Sequence, residues 1–373
     1  MASADNLSEA DFESATLGGL RKVISDTGCQ FDLRELKRSD KAVPERILKG
    51  RSGTNVIRWS LDLSDSKISL IEKRVLRNHS HKAFNEIPRE VRFSILATSI
   101  LFDPAVSIPE VFCVCETEFG WSIIMQDVLA PNVKAMLESD YLIMPRFAAL
   151  IEAARKFNGA SSENLRSTSD YLDMPLHNVP FSFRSTLETS RRIKIDFSSR
   201  FTEHLTATLL EMFSSISGNN NFGLAHLDLN EGNVFWGPET TFFIDFGQIS
   251  FAPIGLDGAK LIGDRLWIYF YRLLLNQETS DSVEFSEVFL SGLICNARAD
   301  EKVSQNGLSK GQTQMIVVAA LLRFRKRWLL AASKDSKSAL RHERTRVEGL
   351  TQAALKSAVE VFDLTPPPKE IFS

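Results

Sequence analysis

Residues Gly223 to Ser250 read GLAHLDLNEGNVFWGPETTFFIDFGQIS, and the rest of the chain is organised around them. The stretch opens on a polar loop that carries His226, Asp228 and Asn233 in the spacing H-x-D-x-x-x-x-N. Val234, Phe235 and Trp236 follow as a short apolar strand, and Gly237-Pro238-Glu239-Thr240 has the composition of a turn. Thr241 to Ile244 form the predicted return strand, which delivers Asp245-Phe246-Gly247.

Phosphoryl transfer calls for these residue types in this order. A carboxylate must stand by the attacking hydroxyl, and hard oxygen ligands must hold magnesium against nucleotide phosphates. Asp228 suits the first task. Asn233 and Asp245 suit the second, because a hairpin between them is expected to bring positions twelve apart in sequence close in space. H-x-D alone is common, and Asp-Phe-Gly alone is an ordinary turn; the joint pattern, with strand, turn and strand between its halves, is what carries information.

The stretch resembles the catalytic core of the protein-kinase-like fold, in the branch of aminoglycoside phosphotransferases and choline kinases. There the loop usually reads H-G-D-x-x-x-x-N and is followed by I-D-F or I-D-W; here Leu227 stands in place of the common glycine. The resemblance implies an α+β, bilobal fold, with a small antiparallel-sheet N-lobe bearing one helix and a larger, mostly helical C-lobe. On that reading residues 1–45 are an arm with a short helix. Residues 46–127 form the lobe that covers the nucleotide, and 128–373 the helical lobe with catalytic loop and acceptor site.

Moving toward the N-terminus, ILKGRSGTNVIRWSLDL reads as strand, glycine turn, strand, with Ile57, Trp59, Leu61 and Leu63 alternating on one face. The turn Gly50-Arg51-Ser52-Gly53-Thr54-Asn55 has the means to lay backbone N–H groups and the Ser52 hydroxyl over phosphates, although most glycine turns of this kind are plain hairpins. It also resembles the family's G-x-S-G-x-x-V-x-R loop, from Gly50 through Val56 to Arg58, which implies nucleotide contacts at Gly50, Ser52, Gly53 and Thr54.

The third strand, Ile68 to Leu76, puts Ile71, Lys73 and Val75 on one face and Leu70, Glu72 and Arg74 on the other. Lys73, between apolar neighbours, is the candidate ammonium for the α/β-phosphates; Lys67 is the better example of a solvated edge lysine. The following helix, Phe84 to Ile100, is expected to supply its carboxylate partner. Glu90 is that partner by resemblance to the family's R-E-x-x-F segment, with Glu86 in reserve. Two more strands, Val111 to Glu116 and Trp121 to Gln126, close the sheet. The resemblance makes Met125 to Val128 the adenine edge, so Gln126 and Val128 are candidate nucleotide-binding positions through their backbone.

From Asn132 onward the composition turns helical. Phe147 to Phe157 is amphipathic, with Pro145 suited to its first turn. Residues 160–195 are rich in Ser, Thr, Asn and Pro without periodicity and read as an insert on the acceptor side. Phe201 to Ile216 carries a core stripe. After Gly247, QISFAPIGLDGAKL resembles the family's G-P-x-G-x-D-L segment, which gives Asp257 a capping role, with Gly258 replacing the usual leucine. In the helical remainder, Arg323, Arg325, Lys326, Arg327, Arg341, Arg344 and Arg346 gather positive charge. They read either as a solvated face balanced by Glu343 and Glu348 or as a basic surface for an anionic acceptor or partner.

Composition bounds the rest. The chain has 373 residues, 43% of them hydrophobic and 24% charged, with a net charge of −3, which is the profile of an ordinary soluble protein and excludes broad electrostatic dependence on nucleic acid. The four cysteines form no recognisable metal or disulfide framework, and buried reduced thiols are the expected state. The N-terminal residues lack a basic region followed by an apolar core, and the longest apolar run, Met315 to Leu322, is too short to span a bilayer. A cytoplasmic protein without membrane contact is expected, monomer or homodimer. The resemblance implies ATP and Mg2+ as cofactors and a small-molecule hydroxyl as acceptor, with Asp228 as catalytic base. His226 is expected to brace the loop through backbone, or to assist the proton. A nucleotide-binding regulator without turnover and a kinase acting on protein side chains are the alternatives.

Overall fold

The computed structural model describes residues 43–49, 54–62, 67–76, 90, 93, 104–117, 120–133, 144–158, 222–275, 282–298, 310–334, 340 and 342–364. The fold is α+β, and the chain divides into two compact units. The first gathers Met1–Leu101, Ser107–Ala130 and Phe242–Gln248; the second gathers Phe102–Val106, Pro131–Thr241 and Ile249–Ser373.

The first unit is built on a five-stranded antiparallel sheet in the order β1-β2-β3-β6-β5. Its strands are β1 (Val43–Lys49), β2 (Thr54–Asp62), β3 (Lys67–Leu76), β5 (Val111–Thr117) and β6 (Gly120–Gln126). β1 begins three residues ahead of the expected start at Arg46, and Pro44 lies within it. Proline is tolerated there because β1 is an edge strand, where a missing N–H costs no ladder bond on the open side. Lys73 faces Val56 on β2 and Ile123 on β6, so the alternation read from sequence fixes which face it occupies.

The opposite face is buried as well. Glu72 is fully buried, accepting from Trp59 Nε1 at 2.8 Å, Arg74 Nε at 2.6 Å and Ser122 Oγ at 2.6 Å. Because buried carboxylates persist only when paired and hydrogen-bonded, this cluster explains how a glutamate and an arginine sit inside a sheet. Sequence alternation had given no sign of it.

The second unit is mainly helical. Its helices are α1 (Met144–Asn158), α2 (Leu256–Leu275), α3 (Ser282–Arg298), α4 (Lys310–Lys334) and α5 (Arg344–Val361). Pro145 falls in the first turn of α1, where its missing N–H has no helical partner to lose. The short strands β7 (Phe222–Ala225) and β10 (Ser250–Pro253) pair antiparallel and frame the loop that follows β7. A third sheet has the order β4-β9-β8, with β4 (Val106–Ser107), β8 (Val234–Trp236) and β9 (Thr241–Phe243). Gly237 N–H donates to Thr240 O at 2.9 Å, which closes the expected turn between β8 and β9.

α2 and α4 pack closely. A Cβ on Gly263 would lie 2.5 Å from both Ala320 O and Arg323 Cβ, so only glycine permits this approach. The apolar run Met315 to Leu322 is buried in α4. Among the described residues no helix is long and apolar enough to cross a membrane. The short helix expected in the N-terminal arm and the stretches 160–195 and 201–216 lie outside the described residues.

Candidate functional site

In the first unit, Lys73 Nζ donates to Glu90 Oε2 and to Asp245 Oδ1, both at 2.7 Å. Glu90 lies on a helix and is buried, whereas the Asp245 side chain is 46% exposed, so the ammonium sits between a buried carboxylate and a partly exposed one. Burial alone would lower the Lys73 pKa, but the carboxylates of Glu90 and Asp245 outweigh it and hold the group above the ordinary lysine value. Phe93, one helical turn beyond Glu90, packs against Phe246 with ring centroids 4.7 Å apart and the planes tilted by 46°, and so ties that helix to the segment after Asp245. Asp245 itself has φ of 69°, the left-handed region in which a non-glycine residue turns the chain sharply.

Arg58 and Ser69 lie on the Lys73 face, as the strand register requires. Both engage Asp127 at the end of β6: the Arg58–Asp127 ion pair is 2.7 Å, and the Ser69 hydroxyl donates to the same carboxylate. Gln126 is exposed and donates its N–H to Glu110 O at 2.8 Å, so that group is taken up within the unit. Val128 is buried just beyond the strand. Thr54 opens β2 opposite Val75. Gly50, Ser52 and Gly53, with the reserve carboxylate Glu86, lie outside the described residues.

The second unit holds the loop after β7. His226 is fully buried, and its Nδ1 accepts the Asp228 N–H at 3.3 Å, so the imidazole bonds to backbone. The Asp228 carbonyl accepts from Asn230 Nδ2 at 2.8 Å and from Asn233 Nδ2 at 3.0 Å. Asn230 caps the short helical turn that follows by accepting the Gly232 N–H at 2.9 Å. The loop is therefore held through backbone atoms, and the half-buried Asp228 carboxylate is left to act on something else.

Leu227 has φ of 58°. An L-residue with a side chain pays ~1–2 kcal/mol in this region, which is where a glycine would sit without strain. Two features offset that cost: the Leu227 side chain is buried, and its N–H donates to Asp257 Oδ1 at 2.9 Å. Asp257 Oδ2 accepts from His226 N at 2.7 Å and from Asn158 Nδ2 at 3.0 Å. Asn158 also donates to Leu224 O at 2.6 Å and accepts from Gly255 N at 3.3 Å. The end of α1 and the start of α2 thus clamp the loop from behind. No pattern near position 158 announces the partners of Asn158, which lie 66 to 99 residues away.

Asn233 commits its Nδ2 to the loop, which leaves Oδ1 as the donor atom for a ligand. Asp245 supplies a carboxylate. Both are the hard oxygen type that magnesium takes. Among the described residues no three His, Cys, Asp or Glu gather into an all-protein metal cage.

No known family profile matches the chain, and no curated protein matches it in sequence. Solved structures do match. A choline kinase from Cryptosporidium parvum Iowa II aligns with a TM-score of 0.53 at 13% identity, covering 97% of this chain and 100% of that one. The amicoumacin kinase hAmiN, in complex with AMP-PNP, Ca2+ and Ami, aligns with a TM-score of 0.51 at 15% identity, covering 90% and 94%. The chain has the fold of these small-molecule kinases. A Plasmodium vivax ethanolamine kinase agrees, with a TM-score of 0.50 at 11% identity over 96% of each chain. Within this kinase-like fold, Lys73, Glu90 and Asp245 are brought together in one unit, and His226, Asp228 and Asn233 on one loop of the other.

Proposed function

We propose that the protein is an ATP- and magnesium-dependent phosphotransferase that moves the γ-phosphate to a hydroxyl of a small molecule. The observation that carries this reading is Lys73, held at 2.7 Å from both Glu90 and Asp245, residues that stand 17 and 172 positions away. A lysine fixed by two carboxylates from distant segments is a poor surface feature and a good phosphate anchor. The kinases sharing this fold are named for choline, ethanolamine and amicoumacin, and they support a small-molecule acceptor over a protein one.

In this mechanism Lys73 neutralises the α/β-phosphates, and Glu90 keeps its ammonium aimed. Magnesium bound by Asn233 and Asp245 would supply charge neutralisation across the phosphates. Asp228 orients the acceptor hydroxyl and takes its proton late in the transfer. The acceptor oxygen bonds to the γ-phosphorus as the bond from that phosphorus to the bridging oxygen breaks, and ADP leaves. His226 holds the backbone of Asp228 in place through Nδ1.

The test is ATP consumption by the full chain with magnesium across pooled hydroxylated metabolites, followed by identification of the phosphorylated product. Turnover with a small product supports the reading. A thermal shift with Mg-ATP but no consumption would make the protein a nucleotide-binding regulator, and labelled phosphate on a protein band would make it a protein kinase. Lys73→Met is expected to lower turnover by ~10²–10³, the cost of losing one preorganised charge at the reacting phosphates. Steady-state kinetics on the variant checks this; a loss under threefold would remove Lys73 from the role.

A further inference from the structure

Asp127 stands just beyond β6 and is buried, and its carboxylate is engaged from two other strands. Arg58 Nε on β2 lies 2.7 Å from Oδ2, Arg58 Nη2 donates to Oδ1 at 3.3 Å, and the Ser69 hydroxyl on β3 donates to Oδ2. A guanidinium fork and a hydroxyl meeting one carboxylate fix both of its oxygens, and charge-assisted bonds of this kind are among the strong ones. The Lys73 anchor makes no use of this cluster.

Strand register places the cluster relative to Lys73. Val56, Lys73 and Ile123 form one row across β2, β3 and β6; Arg58, Ile71 and Met125 form the next on the same face, and Ser69 follows. Strand residues rise ~3.3 Å, so the Ile71 row lies about 7 Å from Lys73 and Ser69 about 13 Å from it. That is the reach of a ribose and a base extending from a phosphate held at Lys73. In the opposite direction the face is closed, because Val75 is fully buried. Val56, Ile71 and Met125 are only half-buried and offer an apolar strip.

An apolar strip bounded by a phosphate anchor at one end and a polar edge at the other suits a purine ring. That edge is the backbone of Asp127 and Val128. Val128 is 8% exposed, and among the described residues no hydrogen bond takes up its N–H or its carbonyl. Buried backbone groups are otherwise nearly always paired.

We propose that Arg58 and Ser69 act through Asp127 to hold the Asp127–Val128 backbone at the rim of this strip, where it hydrogen-bonds the base of the nucleotide. Arg58 and Asp127 are then positioning residues for the base, separate from the groups that hold the phosphates. The proposal rests on the phosphotransferase reading of Lys73. The Asp127 side chain is 3% exposed with both oxygens engaged, so it does not read the base itself. The Gln126 N–H is taken up by Glu110 O and does not read it either.

The test is calorimetry on the full chain with magnesium, comparing ATP with inorganic tripolyphosphate, which carries three phosphates and no nucleoside. The parent protein is expected to bind ATP the more tightly, and the ratio of the two affinities reads the nucleoside alone. The Arg58 side chain is 39% exposed, so Arg58→Gln breaks the ion pair without opening a cavity in the core. Asp127→Asn keeps the shape and an acceptor for Ser69. Each variant is expected to lower the ratio about tenfold, the worth of one or two hydrogen bonds, with tripolyphosphate affinity held.

A fall of less than threefold in either variant overturns the proposal. So does a loss shared equally by ATP and tripolyphosphate, since the cluster would then only support the sheet. If the parent binds both ligands alike, no base is read on this face, and the proposal falls while Lys73 keeps its phosphates. If the parent binds neither, the phosphotransferase reading fails and takes this proposal with it.

Discussion

Asp228→Asn is expected to lower turnover by ~10²–10⁴ while leaving Mg-ATP affinity and folding stability close to those of the parent protein. The bonds that fix the loop use Asp228's backbone. Its N–H goes to His226 Nδ1, and its carbonyl receives Asn230 and Asn233. Exchanging the carboxylate for an amide of nearly the same shape therefore keeps these backbone bonds while removing the proposed proton acceptor and the negative charge that acts on Lys260, Lys326 and Arg327. Steady-state turnover with the acceptor, calorimetry with Mg-ATP and a thermal melt measure the three quantities separately. A variant that turns over at near-normal rate would take Asp228 out of the mechanism. One that also melts early would show that the carboxylate was holding the loop.

Asp257→Ala is expected to cost on the order of 3–5 kcal/mol of folding stability. Hydrogen bonds to a charged acceptor are worth ~1.5–3 kcal/mol, and more is lost when buried donors are left without any acceptor. Three donors would be stranded here, the N–H groups of His226 and Leu227 and the Asn158 amide, at a residue with no exposed surface. Leu227 would also lose the bond that holds it at φ of 58°. Lys260 would lose a nearby negative charge, leaving its buried ammonium worse off. Urea denaturation checks the magnitude, with Asp257→Asn as the milder companion because it keeps one acceptor oxygen. A loss under ~1 kcal/mol would mean that the loop is held by His226 and the two asparagines without help from α2.

The parts of this site that follow from sequence are those set by short, rigid spacings. The loop and the β8–β9 hairpin could be read because turn composition and two brief apolar runs leave one arrangement for His226, Asp228 and Asn233. Lys73 was recoverable because strand alternation has period two and its neighbours on that face are apolar. Glu90 needed the resemblance as well, since a helix offers several carboxylates at workable spacing. Asp257, Asn158 and Asp264 were legible only in part or not at all. Their partners come from segments tens of residues away, and a buried aspartate on an apolar helix looks the same in sequence whether it caps a loop or binds two arginines. The basic cluster shows the same limit. Nearby residues of α4 point to different neighbours, Arg325 toward α5 and Arg327 toward α2, and only packing separates them. Glu72 misleads more directly, because alternation alone assigns a charged residue opposite an apolar face to water.

Glu72 also bears on how accurately the strand can be placed. Sliding β3 by one position would turn its carboxylate out of the Trp59, Arg74 and Ser122 cluster and carry Lys73 to the wrong side of the sheet in the same movement. The polar cluster thus works as a key that admits a single alignment. Substitutions at Trp59 or Ser122, remote from any phosphate, should therefore surface as faults in nucleotide handling before they surface as unfolding.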